Sequence, residues 1–79
     1  MEEIINAIYE KIKSLEVGTE TTILQLIPKE LINKYTNQQL MEITSKIFMK
    51  CRDNNIVLNH DKYKDKDIGL PYNIPFIKE

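Results

Sequence analysis

One cysteine, two glycines, three prolines and a single arginine are all that this chain holds of those residue types, and each shortage removes a class of protein. The lone thiol, Cys51, cannot close a disulfide within the chain. A small secreted domain normally relies on several bridges, so a reducing compartment is expected. Scarce glycine and proline argue against a disordered or low-complexity chain. No apolar run approaches the ~20 residues of a membrane helix, and the acidic start Met1-Glu2-Glu3 does not read as a secretory leader. A cytoplasmic protein with no membrane contact is the expectation. Neither charge is in excess. A net charge of −1 gives no global case for nucleic acid.

The usual carriers of catalysis are missing as well. His60 is the only histidine, and Cys51 falls on an apolar helical stripe, where a thiol is generally inert packing. His60 and Asp61 lack the further ligands of a zinc site. Asp61, Asp65 and Asp67 depart from calcium-loop spacing, because Gly69 is misplaced and no terminal glutamate comes at the right distance. There is no glycine-rich phosphate loop and no nucleophile elbow. These absences point away from an enzyme, and no cofactor or metal is expected.

The residues present are enough for one domain over residues 1–79, at 42% hydrophobic and 29% charged. Ile4, Ile8, Ile12 and Leu15 share one helical face, widened by Ile5, and predict a helix over 2–15 that stops at Gly18. A β-branched stretch at 19–23 predicts a very short strand. Thr22 and Gln25 match a capping box, and Pro28 divides the next segment into helical pieces at 23–27 and 29–35, or kinks a single helix. Leu31 and Ile32 are expected to anchor the second piece.

The strongest local signal in the chain lies just beyond. Thr36 and Gln39 form a second capping box, flanked by Tyr35 and Leu40 as a hydrophobic staple. The helix it opens carries Leu40, Ile43, Ile47 and Cys51 on one face and runs to about residue 53, where Asn54-Asn55 ends it. Ile56-Val57-Leu58 predicts a strand, 59–67 a charged loop, and 72–78 a second strand whose neighbouring Pro71 and Pro75 favour a sheet edge. The predicted core is Ile4, Ile8, Ile12, Leu15, Leu24, Leu40, Ile43, Ile47 and Phe48.

That order of elements is an α+β winged helix-turn-helix, with the final hairpin as the wing. The stretch Val17-Gly18-Thr19-Glu20-Thr21-Thr22-Ile23-Leu24-Gln25-Leu26-Ile27 resembles the opening of small, largely uncharacterised winged-helix-like domains of low-GC Gram-positive bacteria and their phages. Ile47-Phe48 is similar to an apolar-Phe pair in their long helix. The likeness spans about residues 4–78 and implies a fold more than an activity. Thirteen isoleucines, ten lysines and seven asparagines against one arginine also fit AT-rich codons, as in a low-GC bacterium or a mobile element.

Two functions are compatible with this reading. In a helix-turn-helix the second helix enters the major groove by its N-terminal residues. Asn37, Gln38 and Gln39 have the chemistry to read adenine. Lys46, Lys50 and the wing lysines Lys62, Lys64 and Lys66 can reach phosphates. Residues 31–79 carry a net charge of +2 against −3 for residues 1–30. Glu42 and the wing aspartates oppose this polarity, and a single arginine is few for a DNA reader. The favoured expectation is a DNA-binding or transcription-associated accessory protein of a bacterium, phage or mobile element. The alternative is a protein-interaction module, such as a phage or mobile-element protein that blocks a host enzyme, working through Met41, Met49, Tyr72 and Phe76. A homodimer is compatible with both.

Overall fold

Apolar spacing of three and four residues builds both long helices of the computed structural model, which describes residues 1–63 and 71–79. Helix α1 (Glu2–Ser14) buries Ile4, Ile5, Ile8, Tyr9 and Ile12. Glu2 and Glu3 occupy its first turn, and Lys11 and Lys13 its last, in the sense that offsets the helix dipole. It stops earlier than Gly18. Leu15 turns extended, and the Lys78 ammonium donates to the carbonyls of Lys13 and Leu15 at 2.8 and 2.6 Å. A lysine from the far end of the chain therefore caps α1, while Gly18, at φ 95°, makes the turn into the first strand.

That strand, β1 (Glu20–Thr21), leads into two single-turn helices, α2 (Ile23–Leu26) and α3 (Lys29–Ile32). The Thr22/Gln25 box is formed in both directions. Ile27 and Pro28 are extended between the two turns, so the helix is broken there. Contrary to expectation, α3 ends at Ile32, and Leu31 and Ile32 are only partly buried.

Helix α4 (Asn37–Asp53) keeps closely to its sequence signals. The Thr36/Gln39 box is reciprocal, with Thr36 N–H donating to Gln39 Oε1 at 2.9 Å and Gln39 N–H to Thr36 Oγ1 at 3.1 Å. At the other end Asn55 takes φ 63°. Its N–H bonds Arg52 O at 3.1 Å, and the N–H of Ile56 bonds Cys51 O at 2.9 Å. Those two bonds are a Schellman closure. It consumes Ile56, so strand β2 is Leu58–Asn59 and begins later than expected.

The chain closes with β3 (Phe76–Lys78), and the three strands form an antiparallel sheet in the order β1-β3-β2. The expected edge position of the last strand is thus overturned. Pro75 lies just before the ladder and removes none of its bonds, and Phe76 pairs with Thr21 while Lys78 pairs with Leu58. Among the described residues, two 3₁₀ turns, Asp61–Tyr63 and Pro71–Asn73, lie between β2 and β3.

α1 packs on α4, and the second 3₁₀ turn packs against α4 and α2. Phe76, Ile8, Ile12, Ile23, Ile43 and Ile47 are fully buried. Burial of one such side chain stabilises the fold by about 1.5–3 kcal/mol. The predicted core is present with a shifted rim. Leu15, Leu24 and Phe48 are only partly buried, whereas Ile5, Tyr9, Ile23, Ile27, Cys51, Tyr72 and Phe76 complete the interior. Thr44, the one buried polar residue among those described, donates its hydroxyl to Leu40 O at 2.8 Å.

Candidate interaction surface

A helix of 17 residues that packs on one side must present the other, so α4 governs what this domain can offer a partner. Leu40, Ile43, Thr44, Ile47 and Cys51 face inward. Gln38, Met41, Glu42, Ser45, Lys46, Met49, Arg52 and Asp53 are exposed. The charges among them cancel, two carboxylates against two cations. Glu42 Oε1 lies 3.2 Å from Lys46 Nζ at i,i+4 spacing. Such a pair stabilises a helix by only about 0.3–0.5 kcal/mol. Its larger consequence is electrostatic, because Glu42 offsets the positive field that Lys46 presents to an anion.

The described residues expected to bind nucleic acid are not all on that face. Gln38 and Lys46 are there. Gln39 is not free to read a base with its carbonyl, which accepts the capping bond from Thr36. Lys50 leans toward α1, donating to Asn6 Oδ1 and standing 4.8 Å from the centre of the Tyr9 ring. Lys62 is held over β1, 3.5 Å from Glu20 Oε1. The Tyr63 hydroxyl donates to the same carboxylate at 3.1 Å. Glu20, and secondarily Tyr63, raise the Lys62 pKa above its ordinary value. Asn37, at the start of α4, accepts a 3.0 Å bond from the Tyr72 hydroxyl. Lys64 and Lys66 lie outside the described residues.

Among the residues expected to meet a protein, Met41 and Met49 are 42% and 51% exposed. Tyr72 and Phe76 are corrections. Both are buried, Phe76 completely, because the central place of β3 carries Phe76 inward and the preceding turn carries Tyr72 against α4. Neither is available to a partner.

Beside the C-terminal end of α4 the surface opens into a groove of about 410 Å³, lined by Phe48, Arg52, Asn55, Ile56, Val57, Leu58 and His60. The His60 ring meets Phe48 edge-on at 4.9 Å and Phe76 at 5.9 Å. Desolvation lowers its pKa, against a smaller opposing effect of Asp61, which favours the neutral imidazole. Arg52 is then the only charge among the described lining residues, and it has no ion pair among the described residues. Sequence reasoning missed this groove. Its signal was available in the only arginine of the chain, with a valine five residues later that the structure leaves 54% exposed.

Cys51 is buried behind the same helix end. Desolvation raises its pKa, with Lys78 and Lys50 opposing, which favours the protonated thiol. Among the described residues no three metal-ligating side chains come together, and no helix is long and apolar enough to cross a membrane. Comparisons with protein-family models, curated proteins and solved structures return no match.

Proposed function

We propose that this protein is a non-enzymatic winged-helix domain that engages another protein through the exposed face of α4. The observation that carries the reading is the composition of that face. It is neutral overall and holds two exposed methionines, while Lys50 and Lys62 are engaged elsewhere in the molecule. Interfaces are enriched in methionine, whose flexible thioether adapts to a partner's shape, and a face without net charge offers no strong field to a polyanion. The strand order β1-β3-β2, with α2 to α4 placed before the hairpin, supports the winged-helix description. A phage or mobile-element protein that blocks a host enzyme would use such a surface, with the helix that reads DNA in related architectures turned to a protein target.

A photo-crosslinker placed at Met49 tests this in cells of a low-GC bacterium. The expected result is one defined adduct, lost with Met41→Asp and kept with Lys46→Glu. Adducts only to unrelated abundant proteins, unchanged by Met41→Asp, would refute the reading.

DNA binding is the second reading, favoured by Gln38 in the first turn of α4 and by Lys46 and Arg52 on the same side. It predicts binding to mixed-sequence duplex at low salt whose logarithm falls linearly with the logarithm of salt concentration. Fluorescence anisotropy decides it. Salt-sensitive binding that is lost with Lys46→Glu and indifferent to Met49→Asp would replace the protein partner with DNA.

A further inference from the structure

Arg52 is charged, exposed and without an ion pair among the described residues, and it borders a groove whose other lining residues are predominantly apolar. A guanidinium left in this setting is complementary to a carboxylate, which it can hold by two parallel hydrogen bonds. Phe48, Ile56, Val57 and Leu58 offer apolar surface beside it, and Val57 is more than half exposed. Among the described residues no carboxylate lines this groove to compete for the cation.

The backbone supplies a third feature. β2 is an outer strand, paired with β3 on one side and with no other strand among the described residues. An outer strand can accept an extended segment, whose alternate side chains then fall into adjoining pockets.

We infer that the groove between the C-terminal end of α4 and β2 receives an extended, acidic peptide segment of a protein partner. The segment carries one bulky apolar side chain and, close to it in sequence, a carboxylate. The apolar side chain lies against Phe48, Ile56 and Leu58, and the carboxylate meets Arg52. His60, neutral in its aromatic setting, contributes a ring wall and leaves Arg52 to set the charge preference. This inference rests on the protein-binding reading and deepens it by adding a second contact to the α4 face.

The test is selection of a random peptide library on the full-length protein, repeated on Arg52→Glu and on Met49→Asp. Both substitutions are at exposed positions, and thermal melting checks that each variant is folded. Selected peptides are then resynthesised and titrated by fluorescence anisotropy. The inference expects a consensus pairing an aromatic or large aliphatic residue with Asp or Glu. Binding should weaken about tenfold or more with Arg52→Glu, as for loss of a charge-assisted pair. Selection on Arg52→Glu should enrich basic residues in place of the acid. Peptides that lack an acidic residue, or that bind Arg52→Glu unchanged, would overturn the groove assignment. If those peptides are instead lost with Met49→Asp, the protein-binding reading stands while this inference fails. Failure to enrich any peptide, with duplex DNA bound through Arg52, would overturn both.

Discussion

Helices α2 and α4 open with the same device and end very differently. Each begins at a reciprocal Thr-x-x-Gln box, with all four bonds between 2.9 and 3.2 Å. Yet α2 lasts 4 residues and α4 lasts 17. The cap fixes only where a helix starts. Its length depends on the residues beyond the cap, because each added turn must be held by packing. After α2 comes Pro28, and α2 with α3 buries one residue, Ile23. After Thr36 an unbroken stripe buries five residues along α4. A capping box is thus strong evidence for a boundary and weak evidence for an element.

The contrast can be broken most sharply in the core. Ile47→Ala, at a site with no solvent exposure, is expected to cost about 2–5 kcal/mol by cavity formation. Ile32→Ala in α3, partly exposed, should cost about 1 kcal/mol or less. Urea unfolding of both variants checks the pair. Equal losses would mean that α3 carries as much of the fold as α4.

Removing the caps comes next in size. Thr36→Ala should destabilise by about 1 kcal/mol, within the usual range for loss of a capping hydroxyl. Thr22→Ala should cost roughly half as much, since α2 is a single turn fixed chiefly by Ile23 and Ile27. A larger loss at Thr22 would show that the α2 box supports the neighbouring strand as well. Lys78→Met removes the ammonium that caps α1 and should lower stability by about 1 kcal/mol. It should leave α2 and α4 intact by amide exchange.

The smallest effect concerns pH. His60 has a folded pKa below the unfolded value near 6.5. The unfolded chain therefore binds a proton first as pH falls, and the contribution of His60 to stability, complete above 6.5, declines from there toward the folded pKa. The melting temperature should drop across that interval, and His60→Phe should remove that part of the slope. An unchanged profile in His60→Phe would place the titrating group elsewhere.

Much of the fold was legible because its signals are local. The α1 and α4 stripes, both capping boxes and the Asn54-Asn55 stop depend on residues within one or two turns of each other, and each formed as its residues implied. The end of α1 fell within one residue of its expected place, but its cap was not legible, because Gly18 is the obvious stop while the capping ammonium comes from Lys78, 63 positions beyond Leu15. The candidate surface was less legible still. Lysines look alike in a sequence, yet Lys50 is tied to Asn6, Lys62 to Glu20, and Lys46 to a carboxylate one turn away. Only the last of these pairs is written at helical spacing.

By itself, then, the sequence determined an α+β chain, the two long helices and their starting points, because hydrogen bonding within a turn and a 3.6-residue period are properties of neighbouring residues. The tertiary structure decided which strand lies at the centre of the sheet, that Tyr72 and Phe76 are interior, which cations are engaged and that Arg52 stands without an ion pair among the described residues beside a groove. Those outcomes rest on partners as many as 65 residues apart. Only the closing of the chain brings such groups within bonding distance.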